Sequence, residues 1–226
     1  MTLELRAPII PPDASADADF DPVEQAVANR KRPDVRFTPE QYFLLCESGL
    51  LGDVRTELVD GRIVRMASQR NRHAWAVSEC ADWARSIFPK KQYWVRVQMT
   101  LHCLGHVPEP DLAVTLGPRT ADDEYMAGDR AVLVVEVSDA TLLSDTRKKP
   151  AIYAAVGVPE YWVIDVKNRR LLVHREPRRG ERGKWAYASV VTVGPGGSIA
   201  PLKAPRRAIQ FAQLFPPAPA VKRRPS

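Results

Sequence analysis

The chain has 226 residues, 45% of them apolar and 27% charged, with 33 Lys and Arg against 27 Asp and Glu for a formal charge of +6. That composition supports one full domain with extensions, or two small ones, and excludes wholesale disorder and fibrous repeats. The basic balance admits a polyanionic partner without requiring one.

Residues 1–35 are rich in Pro, Ala and Asp, and Pro8, Pro11, Pro12 and Pro22 interrupt every candidate helix, so this stretch reads as a mobile arm. The folded pattern occupies residues 36–215, and residues 216–226 return to a Pro-rich basic tail with Lys222, Arg223 and Arg224. Thr38, Pro39 and Gln41 predict a capping box with proline at the first helical position, opening a short helix to Glu47 that Gly49 stops. Asp60-Gly61, set between apolar runs, predicts a type I′ hairpin. Ala76, Cys80, Trp83, Ala84 and Ile87 recur at helical spacing, which predicts a helix from about His73 to Phe88. Alternation by two from Tyr93 to Leu101 predicts a strand with one wetter face. Asp111 to Thr115 and Ala131 to Val137 are short continuous apolar runs, expected of central strands covered on both sides. A helix is expected from Thr146 to Val156, ended by Gly157, then strands at Glu160 to Val166 and Arg170 to Arg175, with an edge strand within Lys184 to Val193. This interleaving predicts an α/β sandwich around a mixed sheet.

The cysteines Cys46, Cys80 and Cys103 lie far apart with no Cys-x-x-Cys pair, which argues against structural zinc or a redox couple and fits a reduced, cytoplasmic setting. The N-terminus lacks a basic then apolar leader, and no stretch approaches the roughly 20 apolar residues that span a bilayer, so neither secretion nor membrane insertion is expected. No Ser/His nucleophile pair or phosphate-cradling glycine loop is recognisable, which disfavours acyl transfer and nucleoside triphosphate chemistry.

Two acids are oddly placed, because Asp111 opens one buried-looking strand and Glu136 sits near the end of the next. Buried charges need a partner or a metal. If neighbouring strands bring these acids together, their oxygens and a backbone carbonyl suit a hard cation such as Mg²⁺, which activates water and stabilises a pentacovalent phosphate. Lys148 or Lys149 then supplies a cation for the developing charge. The structural alternatives are a strand-entry cap for Asp111, an ion pair with an arginine such as Arg96 for Glu136, a solvated surface position for Lys149, and a hairpin flank for Glu57. The basic run Lys167, Arg169, Arg170, Arg175, Arg178, Arg179, Arg182 and Lys184 either tracks a phosphate backbone or coats a solvated hairpin.

The segments ELVDGRIV, VPEPDLAV, LVVEVSDATLLSDTRKK and YAAVGVPEYWVID, in that order, resemble the Uma-type restriction endonuclease family, a branch of the PD-(D/E)XK nuclease superfamily, over roughly residues 38–215. The resemblance implies an α/β restriction-endonuclease-like core, with a mixed central β-sheet flanked by α-helices. It further implies a metal-dependent endonuclease that hydrolyses phosphodiester bonds in DNA with Mg²⁺ or Mn²⁺. By the same resemblance Asp111 and Glu136 bind the metal, the carbonyl of Val137 completes its inner shell, and Glu57 adds a supporting carboxylate. Ser138 stands where the superfamily places its lysine, and the role passes to Lys149, four residues before Tyr153. Lys149 would position or deprotonate the attacking water, for which a depressed pKa would help. Pro150 departs from the helical pattern and predicts a shifted helix start. His73 matches a histidine common in the family and reads as a helix-start residue rather than a ligand, while Tyr153, Tyr161 and Trp162 read as core aromatics. A homodimer follows by analogy with nucleases that cut both strands. The rival reading is a non-catalytic nuclease-like module that binds nucleic acid or protein, favoured by the serine at position 138. A third keeps the metal site for another phosphate-containing substrate.

Overall fold

A computed structural model describes residues 35–120, 126–139, 141–181 and 183–216; the expected arm and tail, apart from Val35 and Pro216, and Arg182 of the basic run lie outside the described residues. Helix α1 (Pro39–Glu47) opens as the sequence dictates: Thr38 Oγ1 accepts from the Gln41 N–H at 3.3 Å, and Gln41 Oε1 accepts from the Thr38 N–H at 3.0 Å. Strands β1 (Thr56–Val59) and β2 (Arg62–Arg65) form a hairpin on Asp60 and Gly61, whose φ angles of +51° and +67° are those a type I′ turn requires.

After α2 (Asn71–Ile87) come β3 (Tyr93–Val97), β4 (Leu112–Leu116) and β5 (Ala131–Ser138), then α3 (Leu142–Arg147), α4 (Lys149–Ala155), β6 (Glu160–Asp165), β7 (Arg170–Arg179) and β8 (Trp185–Val193). These six strands form one sheet in the order β3-β4-β5-β6-β7-β8, antiparallel except for the parallel pair β5–β6. The parallel pair follows from connectivity, since α3 and α4 lie between β5 and β6 and carry the chain back to the same end of the sheet. The short strands β9 (Ser198–Ile199) and β10 (Ile209–Gln210) pair separately.

The sheet is covered on both faces, giving the mixed α/β core expected. On one, Ala76, Cys80 and Ala84 of α2 pack with Leu133, Val135, Trp162 and Leu214, and Trp83 stacks on Trp162 with ring centroids 5.6 Å apart. On the other, Ile152, Tyr153 and Ala154 of α4 pack with Val134, Tyr161, Val163 and Tyr187. Each buried aliphatic side chain contributes about 1.5–3 kcal/mol, so the central strands are a rigid base for whatever projects from them. Side chains alternate across a strand, and Glu136 therefore shares the α4 face with Val134.

Glu160 is fully buried yet satisfied. Its Oε1 accepts from Trp162 Nε1 at 2.9 Å and from Arg175 Nε and Nη2 at 2.9 and 2.6 Å, while Oε2 accepts from the Leu202 N–H at 2.7 Å. The acid of the GVPEYWVID segment thus ties two strands to the returning chain.

Two expectations are corrected. The strand expected from Tyr93 to Leu101 stops at Val97, because Gln98 turns the chain with φ +50° and donates from Nε2 to Asp111 Oδ1 at 3.2 Å. The single helix expected from Thr146 to Val156 is two helices broken at Lys148, with Pro150 in the first turn of the second, where its missing N–H has no helical acceptor to lose. Within the basic run, Arg170 ion-pairs with Asp165 at 2.8 Å and Arg175 with Glu160, so these two are tied to carboxylates of the sheet. Gly157 ends α4 as expected with φ +81°. Among the described residues no helix is long and apolar enough to cross a membrane.

Candidate active site

The β4–β5 register pairs Leu112 with Val135 and Ala113 with Val134, and its continuation carries Asp111 to the position across from Glu136. β4 begins only at Leu112, and Asp111 Oδ2 takes the Val137 N–H beyond the end of that ladder at 2.8 Å. Glu136 lies near the C-terminal end of a strand in the parallel pair, the edge where open α/β sheets place their sites.

Lys149 opens α4 beneath this edge. Its Nζ donates to Glu136 Oε1 at 2.9 Å, stands 3.0 Å from Glu57 Oε2 as an ion pair without hydrogen-bond alignment, and lies 3.7 Å from Asp145 Oδ1. Glu57 comes from β1, across the hairpin from Val64. The structure therefore gathers Glu57, Glu136 and Lys149 in direct contact, with Asp111 on the same cleft wall. The alternative pairing of Glu136 with Arg96 is not formed, because Arg96 donates to the Thr100 carbonyl at 3.0 Å and lies over the Trp94 ring.

Three further residues enter this cluster. Asp145, fully buried, is a fourth carboxylate; its i,i+4 spacing to Lys149 was the available signal, obscured by a helix break between them. Tyr153, read above as core, is buried but donates its hydroxyl to Glu136 Oε1 at 2.9 Å, and it follows Lys149 by one helical turn. His73, in the first turn of α2, brings Nε2 to 3.2 Å from Asp111 Oδ2, a contact only the tertiary fold creates.

Three carboxylates around one ammonium, with Asp111 nearby on the cleft wall, set the electrostatics. Burial holds the Glu136 carboxyl well above its usual range, opposed by Lys149 and reinforced by Asp145, Asp111 and Glu57. Burial likewise raises the Asp145 carboxyl, against Lys149 and a hydrogen bond from Thr141. For Lys149, burial alone would lower the pKa, but Glu136, Glu57 and Asp145 outweigh it and push the ammonium above its ordinary value. The depressed lysine pKa considered from the sequence is thus reversed. In this arrangement the surrounding carboxylates favour the charged form of Lys149.

The donor set fits a hard divalent cation in its chemistry, since every carboxylate supplies oxygen, the negative charges exceed the positive, and Asp145 Oδ1 is buried without a hydrogen-bond partner. It is not a finished cage: among the described residues no group of three or more His, Cys, Asp or Glu side chains is arranged to hold a metal ion. The Lys149 ammonium lies between Glu57 and Glu136 instead. The acids line an open cleft of about 920 Å³, with Arg65, Arg70 and Lys167 also on its wall.

A profile of the Uma2 family, described as "Putative restriction endonuclease", matches residues 39–206. This chain belongs to the Uma2 family. The crystal structure of a "putative nuclease belonging to DUF820" from Anabaena variabilis ATCC 29413 is similar at a TM-score of 0.63 and 17% identity, covering 79% of this chain and 97% of that one. The likeness shows a nuclease-like fold, in agreement with the restriction-endonuclease-like core expected. No curated protein matches this chain.

Proposed function

We propose that this Uma2-family chain is a metal-dependent endonuclease that hydrolyses phosphodiester bonds, with DNA as the substrate. The observation that carries the reading is the meeting of Glu57, Glu136 and Lys149 beside Asp111 at the end of the parallel strand pair, from four segments far apart in sequence. Asp111 and Glu136 would hold Mg²⁺ or Mn²⁺, with Glu57 supporting them. Such an ion, when bound, polarises the phosphate and lowers the pKa of a coordinated water. In the reaction, a water oxygen bonds to phosphorus, the bond from phosphorus to a sugar oxygen breaks, and the proton the water gives up is balanced by one taken up, through solvent, by the departing sugar oxygen. The chain's own contribution is electrostatic and positional: Lys149, whose charged form the neighbouring carboxylates favour, would present an ammonium to the phosphoryl oxygens, and Tyr153 and Lys149 together orient Glu136. His73 and the Val137 N–H hold Asp111 in the same way.

The test is cleavage of plasmid, linear duplex and single-stranded DNA by the purified protein with Mg²⁺, Mn²⁺ or EDTA, beside Asp111→Ala and Lys149→Ala. Metal-dependent cutting lost in both variants supports the proposal. One observation favours the second reading, a non-catalytic nuclease-like module: Lys149 is engaged by three carboxylates, and no metal-holding group stands among the described residues. That reading takes over if the wild type binds DNA but is as inactive as the variants across all three substrates and both metals.

A further inference from the structure

A second concavity adjoins the acidic cleft. This second lobe, of about 840 Å³, shares Glu57, Val64 and Ser144 with the first, so the β1–β2 hairpin and α3 form the ridge between them. Both lobes carry cations: Arg65, Arg70, Arg72 and Lys167 stand beside the acids of the first, and Arg36, Arg62 and Lys148 face the second, which has only Glu57 and Asp60 as acids.

The fold divides two adjacent lysines between the lobes. The helix break at Lys148, followed by Pro150, sends Lys149 inward to the buried carboxylates, while Lys148 stays exposed and lines the second lobe. Lys148 has no ion pair among the described residues, so its ammonium is available to an external anion. The Arg36 guanidinium donates to the Asp60 carbonyl at the hairpin turn, which fixes its stem on the lobe wall. Arg62 is exposed and follows the same turn.

A polyanionic strand approaching four clustered carboxylates is repelled unless cations sit close beside them. Successive phosphates of one strand lie only about 3.4 Å apart along a duplex axis, so a strand with one phosphate at the acidic cluster places others within reach of the adjoining lobe. We infer that the second lobe binds the backbone phosphate neighbouring the one hydrolysed, with the strand running from the acidic cluster past Glu57 and Val64 to Lys148, Arg62 and Arg36. This inference deepens the nuclease reading and rests on it. Because such contacts are to phosphate, they set register and affinity without reading base sequence.

The experiment measures binding in EDTA, where nothing is cut, by fluorescence anisotropy of fluorescein-labelled duplex and single-stranded DNA over a salt series. Lys148→Ala and Arg62→Ala are each expected to weaken binding about tenfold near 0.1 M salt and to reduce the slope of log affinity against log salt by about 1. Lys148→Arg, which keeps the charge, should retain both affinity and slope. Lys203→Ala, an exposed lysine beside Ala204 on the α2 side of the sheet, should behave as wild type. If wild type binds DNA and the two alanine variants match its affinity and salt slope, the second lobe is not a phosphate site, and cleavage by the wild type in Mg²⁺ would leave the nuclease reading standing. If the wild type neither binds nor cuts nucleic acid, both fall together.

Discussion

Replacing Lys149 by Met keeps most of the stem volume and removes the one ammonium that faces Glu57, Glu136 and Asp145. Removing one partner of a buried ion pair costs about 3–5 kcal/mol, because the remaining charge is left uncompensated. For a domain of this size each kcal/mol lowers Tm by about 2–4 °C, so a fall of roughly 6–20 °C is expected. The loss should depend on pH. Burial already raises the folded-state pKa of Glu136 and Asp145 while Lys149 opposes the rise, so without Lys149 both climb further. The native state then binds protons that the unfolded chain has released, and stability falls as pH rises above the ordinary carboxylate range. Urea unfolding followed by tryptophan fluorescence, run near pH 5.5 and near pH 8, should show the variant least impaired at the lower value. Adding Glu136→Gln to Lys149→Met should recover part of the loss at the higher one. A destabilisation below about 1 kcal/mol near pH 8, or an equal loss at both pH values, would refute the view that this ammonium neutralises a buried carboxylate cluster.

Other consequences follow from the same contacts. Glu160→Ala leaves the Trp162 indole N–H and the Leu202 N–H without their acceptor and Arg175 with only the Ala200 carbonyl, and should cost about 3 kcal/mol in urea unfolding, more than Glu160→Gln, which keeps an acceptor oxygen. His174 is buried against Tyr161 and Tyr187, with its pKa pushed down by burial to about 4 from 6.5. The unfolded chain therefore takes up a proton before the native state does, and stability is lost as pH falls from about 6.5 towards 4, by about 2 kcal/mol at pH 5. His174→Phe should abolish that component in a comparison of unfolding free energies at neutral and mildly acid pH. Gly157→Ala meets open space but must adopt φ +81°, so a loss of about 1–2 kcal/mol is expected from backbone strain alone, measurable as a lowered Tm.

Much of the fold was legible because its signals are local. The capping box at Thr38 and Gln41, the Asp60-Gly61 turn and the left-handed stop at Gly157 each depend on residues a few positions apart, and all three form as read. The apolar runs around β4, β5 and β6 likewise announced central strands, since a strand buried on both faces cannot afford polar alternation. Local pattern misled where a distant partner intervened. Alternation alone extends β3 to Leu101, but Gln98 leaves the sheet to reach Asp111. Helical spacing alone runs through Lys148, but the chain bends there and divides two neighbouring lysines between two environments.

By itself, the sequence determined that the chain carries acids where central strands begin and end, two adjacent lysines a dozen residues on, and the α/β frame around them. Only the tertiary structure decided what those residues meet. The β4–β5 register places Asp111 across from Glu136, the return of α4 carries Lys149 and Tyr153 to Glu136, and α2 delivers His73 to Asp111. The direction in which the Lys149 pKa moves has the same origin. A lysine's pKa depends on the dielectric and charges within a few ångströms, and here those charges come from β1, β5 and α3, segments whose proximity no local spacing encodes.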